Sequence, residues 1–161
     1  MIKVLFVCLG NICRSPMAEF IFKDIVNKNG LDKEFYIDSA ATSNYNELER
    51  AGIYGDAKNM LRQMNIPFEE HKSRQIKKED YNNFDYILAM EDKNIKNILE
   101  IVGEDTENKV YRLLDFSKTP ANVADPWYTG DFLTTYYDLL YGCEEFFKYL
   151  EKYKFKEVEE D

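Results

Sequence analysis

Ile2-Lys3-Val4-Leu5-Phe6-Val7-Cys8-Leu9-Gly10-Asn11-Ile12-Cys13-Arg14-Ser15-Pro16-Met17 decides how the rest of the chain is read. Residues 2–7 are apolar except for Lys3. That run is short for a helix and suits a strand buried in a parallel sheet. Ser15-Pro16 reads as a helix opening, with serine as N-cap and proline as the first helical residue. Met17, Phe20, Ile21 and Ile25 then share one helix face, and Gly30 ends the helix. Residues 8–15 are left as a tight loop between strand and helix.

Outward from this unit the same alternation continues. Strands are expected at 35–40, 86–90 and 109–114, and helices at 56–64, after the third strand through residue 101, and at 131–153. In the last helix Phe132, Tyr136, Leu139, Cys143, Phe146, Leu150 and Tyr153 step by fours and threes, which is one helix face. Strand–helix alternation predicts a single α/β domain with a central four-stranded parallel sheet and helices on both faces, doubly wound and Rossmann-like. Ligands of such folds sit at the carboxyl ends of strands, where the 8–15 loop falls. With 161 residues the chain is about one domain, expected over 1–155 with a charged, frayed tail at 156–161. Two long irregular stretches, 41–55 and 115–131, are candidates for functional loops.

Composition excludes several classes. The net charge of −9 argues against nucleic acid, whose phosphates would be repelled, and makes any phosphate site a local exception. No apolar run is long enough for a membrane span, and the first residues lead into a strand rather than a secretory signal. The three cysteines, Cys8, Cys13 and Cys143, form no disulfide framework and predict a reducing compartment, the cytoplasm. No His or carboxylate cluster has metal-ligand spacing, and no Walker lysine follows the loop, so neither metal nor cofactor is expected.

The loop has the parts of an anion receptor. Inward-pointing N–H groups of a strand-to-helix turn and the positive end of a helix favour a phosphate dianion. Gly10 and Asn11 tolerate the left-handed backbone that would curl Leu9, Gly10, Asn11, Ile12 and Cys13 into a bowl. Arg14 offers a planar fork to two phosphate oxygens. The same groups stabilise a thiolate at Cys8, placed to attack phosphorus. A buried strand cysteine is the bland alternative, but the strand before it and the Ser-Pro helix start after it favour the nucleophile. Such a thiolate needs an acid from another segment to protonate the leaving oxygen. Asp125 is the candidate: Pro126 stiffens it, and Trp127 and Tyr128 stand beside it, although Asp-Pro alone reads as ordinary turn chemistry.

The segment VCLGNICRSPMAE closely resembles the signature of the low-molecular-weight protein tyrosine phosphatases. Asp38-Ser39-Ala40, His71-Lys72-Ser73-Arg74-Gln75-Ile76, Phe84-Asp85-Tyr86-Ile87-Leu88 and Asp125-Pro126-Trp127-Tyr128 follow in that family's order and spacing. The resemblance implies a cysteinyl-phosphate mechanism without metal or cofactor. Cys8 would be the nucleophile, Arg14 the phosphate binder, Asp125 the acid and then the base, and Ser15 the donor to the thiolate. It further implies that Asn11, Ser39 and His71 hold the loop and that Tyr45 stands against the substrate ring. Cys13 would capture oxidised Cys8 as a disulfide. Residues 47–56 (ELERAGIYGD) depart from the family's usual Gly/Pro-containing stretch, and Glu91 replaces its common Asp and receives no role.

The resemblance also leaves rivals. Thiol-coupled arsenate reductases share the fold and loop but need a resolving cysteine pair further along, where this chain has only Cys143. A binding-only phosphate module would not need Cys8, Arg14 and Asp125 together. Arginine phosphatases of the same family tend to have Thr at the position of Ile12 and Gly at that of Tyr128. The expected substrate is therefore a phosphotyrosine protein or peptide, with inorganic phosphate and similar oxyanions as competitive ligands.

Overall fold

The structure, a computed structural model, describes residues 1–155. Its strands are β1 (Ile2–Cys8), β2 (Phe35–Ala41), β3 (Tyr86–Ala89) and β4 (Val110–Arg112). Its α-helices are α1 (Arg14–Lys28), α2 (Tyr45–Leu48), α3 (Gly55–Gln63), α4 (Asp80–Asn83), α5 (Asp92–Val102), α6 (Pro126–Thr129) and α7 (Phe132–Leu150). All strands pair in parallel, in the order β2-β1-β3-β4. This is the doubly wound α/β sheet that the sequence predicts.

β1 lies in the middle, and the pleat divides its side chains between two cores. Val4, Phe6 and Cys8 face the core built with α1, α3 and α7. Leu5 and Val7 face the second core, built with Tyr81, Phe84, Ile98 and Val102 from the α4 and α5 side. Both faces are therefore buried, which is why residues 4–8 read as a continuous apolar run. Phe22 of α1 is fully buried, with Phe146 at 5.4 Å, Phe35 at 5.6 Å and Phe6 at 5.8 Å between ring centroids. Burying such a ring stabilises by about 1.5–3 kcal/mol. The cluster fixes α1 against β1 and α7, and so fixes the helix end that closes the 8–15 loop.

The chain runs from β1 to β2 on one side, then returns to place β3 on the other side of β1. That reversal opens a crevice at the carboxyl ends of β1 and β3. Cys8 ends one of these strands, and Glu91 follows the other.

Several expectations need correction. α1 starts at Arg14 with Cys13 in the cap position, so Ser15 lies inside the first turn rather than capping it. Its hydroxyl is taken by the loop, as described below. β4 is only three residues long and passes into a 3₁₀ turn, Leu113–Phe116. α7 gives way after Leu150 to a π turn, Glu151–Phe155. The 41–55 and 115–131 stretches contain the one-turn helices α2 and α6, too short to leave a periodic signal. The expected charged tail at 156–161 lies outside the described residues. No helix among the described residues is long and apolar enough to cross a membrane.

Candidate active site

Cys8 is 3% exposed, at the floor of a cavity of ≈ 260 Å³. Its Sγ accepts from the Asn11 backbone N–H at 3.2 Å and lies 3.0 Å from Ser15 Oγ. The Asn11 amide nitrogen donates to that same Oγ at 2.8 Å. With its oxygen already accepting, the Ser15 hydroxyl can turn its proton to the sulfur. The sulfur thus faces two possible donors, the Asn11 N–H and the Ser15 hydroxyl.

Asn11 holds the bowl together. It is fully buried and is the one residue of the loop with left-handed backbone, at φ 56°. Its side-chain nitrogen also donates to Ser39 Oγ at 2.9 Å, and Ser39 donates onward to Glu19 at 2.6 Å. Parallel pairing sets Ser39 beside Phe6, which brings it under the loop. The Asn11 carbonyl accepts from Ser73 Oγ at 2.8 Å, and its side-chain oxygen accepts from the Arg74 N–H at 3.3 Å. His71 Nε2 lies 3.1–3.2 Å from those two Asn11 oxygens. Both are acceptors, so Nε2 carries the proton. Every polar atom of this buried asparagine side chain is thus engaged, as a buried network requires.

Gly10 serves another purpose than expected. It has no positive φ; instead a Cβ there would lie 2.7 Å from the Asn46 side-chain nitrogen. Asn46 uses that close approach to donate to the Gly10 carbonyl at 2.9 Å, tying the loop to α2.

Arg14 is 2% exposed. Its Nη1 donates to the Val123 carbonyl at 2.8 Å and to Glu91 at 3.2 Å, and its Nη2 donates to Asp125 at 3.4 Å. A buried guanidinium needs such partners to offset lost hydration. Asp125 is the N-cap of α6: one carboxylate oxygen accepts from the Trp127 N–H at 3.0 Å, and the other faces Arg14. Tyr45, Trp127 and Tyr128 line the mouth of the cavity and are well exposed. Ser39 and His71 stand behind the loop, outside the cavity lining.

The family model of the low molecular weight phosphotyrosine protein phosphatases matches residues 3–156 of the chain. The chain belongs to this family. It is 38% identical over 156 residues to low molecular weight protein-tyrosine-phosphatase YfkJ of Bacillus subtilis, covering 96% of this chain and 99% of that one. The crystal structure of YfkJ is similar with a TM-score of 0.89 at 39% identity, covering 96% and 97% of the two chains. The human low molecular weight phosphotyrosine protein phosphatase is 37% identical over 149 residues, covering 89% and 92%. The Drosophila arginine phosphatase structure is similar with a TM-score of 0.82 at 32% identity, covering 95% and 98%. The fold of this family is therefore shared by proteins named for different phosphorylated residues.

Against the family signature, the site of this phosphatase adds residues that the sequence reading left without a role. Glu91 grips Arg14 and caps α5 through a reciprocal box with Asn94. The E-x-x-N spacing before Ile95 and Ile98 was the available signal. Glu19, Ser73 and Asn46 left no comparable signal, because their roles arise from packing between distant segments. Cys13 is buried, and its thiol is pushed up to about 12, first by burial and then by the negative charge of Cys8 and Asp125, with Arg14 opposing. Cys143 is fully buried in the main core, in keeping with its helix-face pattern.

Proposed function

We propose that the protein hydrolyses phosphotyrosine monoesters in proteins or peptides through a phosphocysteine at Cys8. The convergence of Cys8, Arg14 and Asp125 on one cavity is the observation that carries this reading. The phosphate oxygens take the loop N–H groups and the Arg14 fork, competing with Asp125 for Nη2 and turning its carboxyl toward the leaving oxygen. The Cys8 thiolate forms the S–P bond as the P–O bond breaks, and protonated Asp125 gives its proton to the departing tyrosine oxygen. Water then attacks phosphorus, Asp125 takes its proton, the S–P bond breaks and the thiolate returns. Ser15, 3.0 Å from the sulfur, stabilises that returning charge.

Depth supports tyrosine over serine: the sulfur of Cys8, a residue only 3% exposed, is reached only through a long side chain. Tyr45, Trp127 and Tyr128 supply aromatic walls for a phenyl ring. Ile12 and Tyr128 support tyrosine over arginine, since an isoleucine offers a guanidinium no hydrogen bond and Tyr128 narrows the slot. The test compares kcat/KM on matched phosphotyrosine, phosphoarginine and phosphoserine peptides, then repeats it with Ile12→Thr. Phosphotyrosine is expected to lead, with a shift toward phosphoarginine in the variant. A wild-type preference for phosphoarginine would overturn the reading.

A further inference from the structure

We propose that Tyr54 is a positioning residue for the acid: its ring clamps Trp127 and so sets where Asp125 stands over the phosphate loop. The inference rests on the phosphatase reading above. Tyr54 belongs to the 47–56 stretch, to which the reaction assigns no part, and it does not line the cavity.

Tyr54 stands where three pieces of the site meet. Its backbone N–H donates to the Ile12 carbonyl at 2.9 Å, so its main chain is anchored to the phosphate loop. It is the N-cap residue of α3, and its carbonyl accepts from the Lys58 N–H at 3.0 Å. Its ring meets Trp127 edge to face, with centroids 5.2 Å apart at 63°, and stacks on Phe132 at 6.1 Å and 23°. Trp127 is in α6, and Phe132 is the first residue of α7. Between them lies Gly130, the left-handed turn at φ 72°. One ring thus bridges both sides of the only turn separating α6 from α7.

Beyond Pro126, little else among the described residues restrains this segment. Pro126 is buried, but the next four residues are exposed, Trp127 by 57% and Tyr128 by 79%. Before the acid, buried Val123 is fixed through its N–H to the Met90 carbonyl and its carbonyl to Arg14, both at 2.8 Å, and Thr135 donates to the Ala124 carbonyl at 3.1 Å. The bond from Arg14 to Asp125 is the longest that Arg14 makes, and a bound phosphate competes for it. While Arg14 holds phosphate, the contact between Trp127 and Tyr54 is the restraint that reaches Asp125 from the side beyond it, whereas Val123 holds the side before it. The link runs from Ile12 through Tyr54 and Trp127 to the acid.

Trp127 is the only tryptophan of the chain, so its fluorescence reports this contact directly. In Tyr54→Ala its emission should shift to the red, and acrylamide should quench it more. The loss of two aromatic contacts should lower kcat/KM on a phosphotyrosine peptide roughly 3- to 30-fold. An activated nitrophenyl phosphate needs little protonation and should lose much less. Inhibition by inorganic phosphate should stay within about twofold, because the bowl is intact. Tyr54→Phe should restore both fluorescence and rate, since the Tyr54 hydroxyl makes no hydrogen bond among the described residues. In an Asp125→Ala background Tyr54→Ala should add no further loss. Equal losses on both substrates, an additive loss in that background, or unmoved Trp127 emission would each overturn the clamp. If Tyr54→Ala does not fold, Tyr54→Leu keeps apolar bulk without the ring and must show the same substrate split. Failure of wild type to act on phosphotyrosine sinks the phosphatase reading; leaving-group dependence in Asp125→Ala but not in the Tyr54 variants sinks the clamp alone.

Discussion

Residues 8–15 and residues 124–131 face each other across one cavity and are built by opposite means. Five of the eight residues of the phosphate loop are buried and only Leu9 is exposed, and its central residue, Asn11, has its side chain bonded through both oxygen and nitrogen. The acid segment is mostly exposed and is held by its own caps, by Arg14 and by the Tyr54 ring. The difference teaches what each must do. An anion receptor works by holding its donors fixed before the charge arrives, which a saturated buried network provides. An acid that later acts as a base, the part we propose for Asp125, must let a leaving group out and water in, and segments that yield come from the weakly packed end of a structure.

The sharpest way to break this comparison is to remove the nucleophile and leave the receptor. Cys8→Ser keeps a hydrogen-bonding atom opposite Ser15 and the Asn11 N–H. Turnover should fall at least ~10⁴-fold, as for other covalent nucleophiles. Phosphate affinity, measured by calorimetry, should persist, because Arg14 and the loop amides remain. Residual turnover above a few per cent would show that Cys8 does not attack phosphorus.

Asp125→Ala tests the other side. Poor leaving groups such as tyrosine should lose roughly 10²–10⁴-fold, the usual worth of a general acid. An activated aryl phosphate should lose less. If both substrates fall together, Asp125 acts as the α6 cap and an Arg14 partner rather than as a proton donor. The thermal midpoint separates these roles further, since loss of an N-cap costs about 0.5–2 kcal/mol.

The same contrast explains what could be read from the sequence. The β1 run, the C-x₅-R-S spacing and the Ser-Pro helix start lie within fifteen consecutive residues, so local rules predict both the strand and the bowl. The long amphipathic α7 was legible for the same reason: its apolar face repeats. What stayed hidden is built between distant segments. Glu91 comes to Arg14 only because β3 pairs with β1, and Tyr54 comes to Trp127 only because α3 starts beside α7. Ser15 was misread as a cap because a serine before proline satisfies that rule locally, while its hydroxyl answers to Cys8 and Asn11. Gly10 was misread because glycine signals backbone freedom, and here it marks the close approach of Asn46.

The smallest expected effect concerns Cys13, whose burial sharpens the difference between the two loops into a difference in timing. Mild peroxide converts the Cys8 thiolate to a sulfenic acid. Closure then joins the two sulfurs as the Cys13 thiol loses its proton and Cys8 loses hydroxide, with water as the product. The attacking species is the Cys13 thiolate. With its thiol pushed up to about 12, that thiolate is scarce at neutral pH. Oxidation removes the negative charge of Cys8, the second cause of the shift, but burial, the first cause, remains. Closure should therefore be slow at neutral pH and rise about tenfold per pH unit below the Cys13 value. The measurement is the fraction of activity that a thiol reductant restores after a fixed peroxide pulse, from pH 6 to pH 9. Sulfenic acid trapping should dominate at the low end, and a Cys8–Cys13 linkage found by mass spectrometry should dominate at the high end. Cys13→Ser should lose the pH-dependent part of the recovery. A linkage that forms as fast at pH 6 as at pH 9 would mean that the loop opens to water on oxidation, and that the phosphate loop is less rigid than its hydrogen bonds imply.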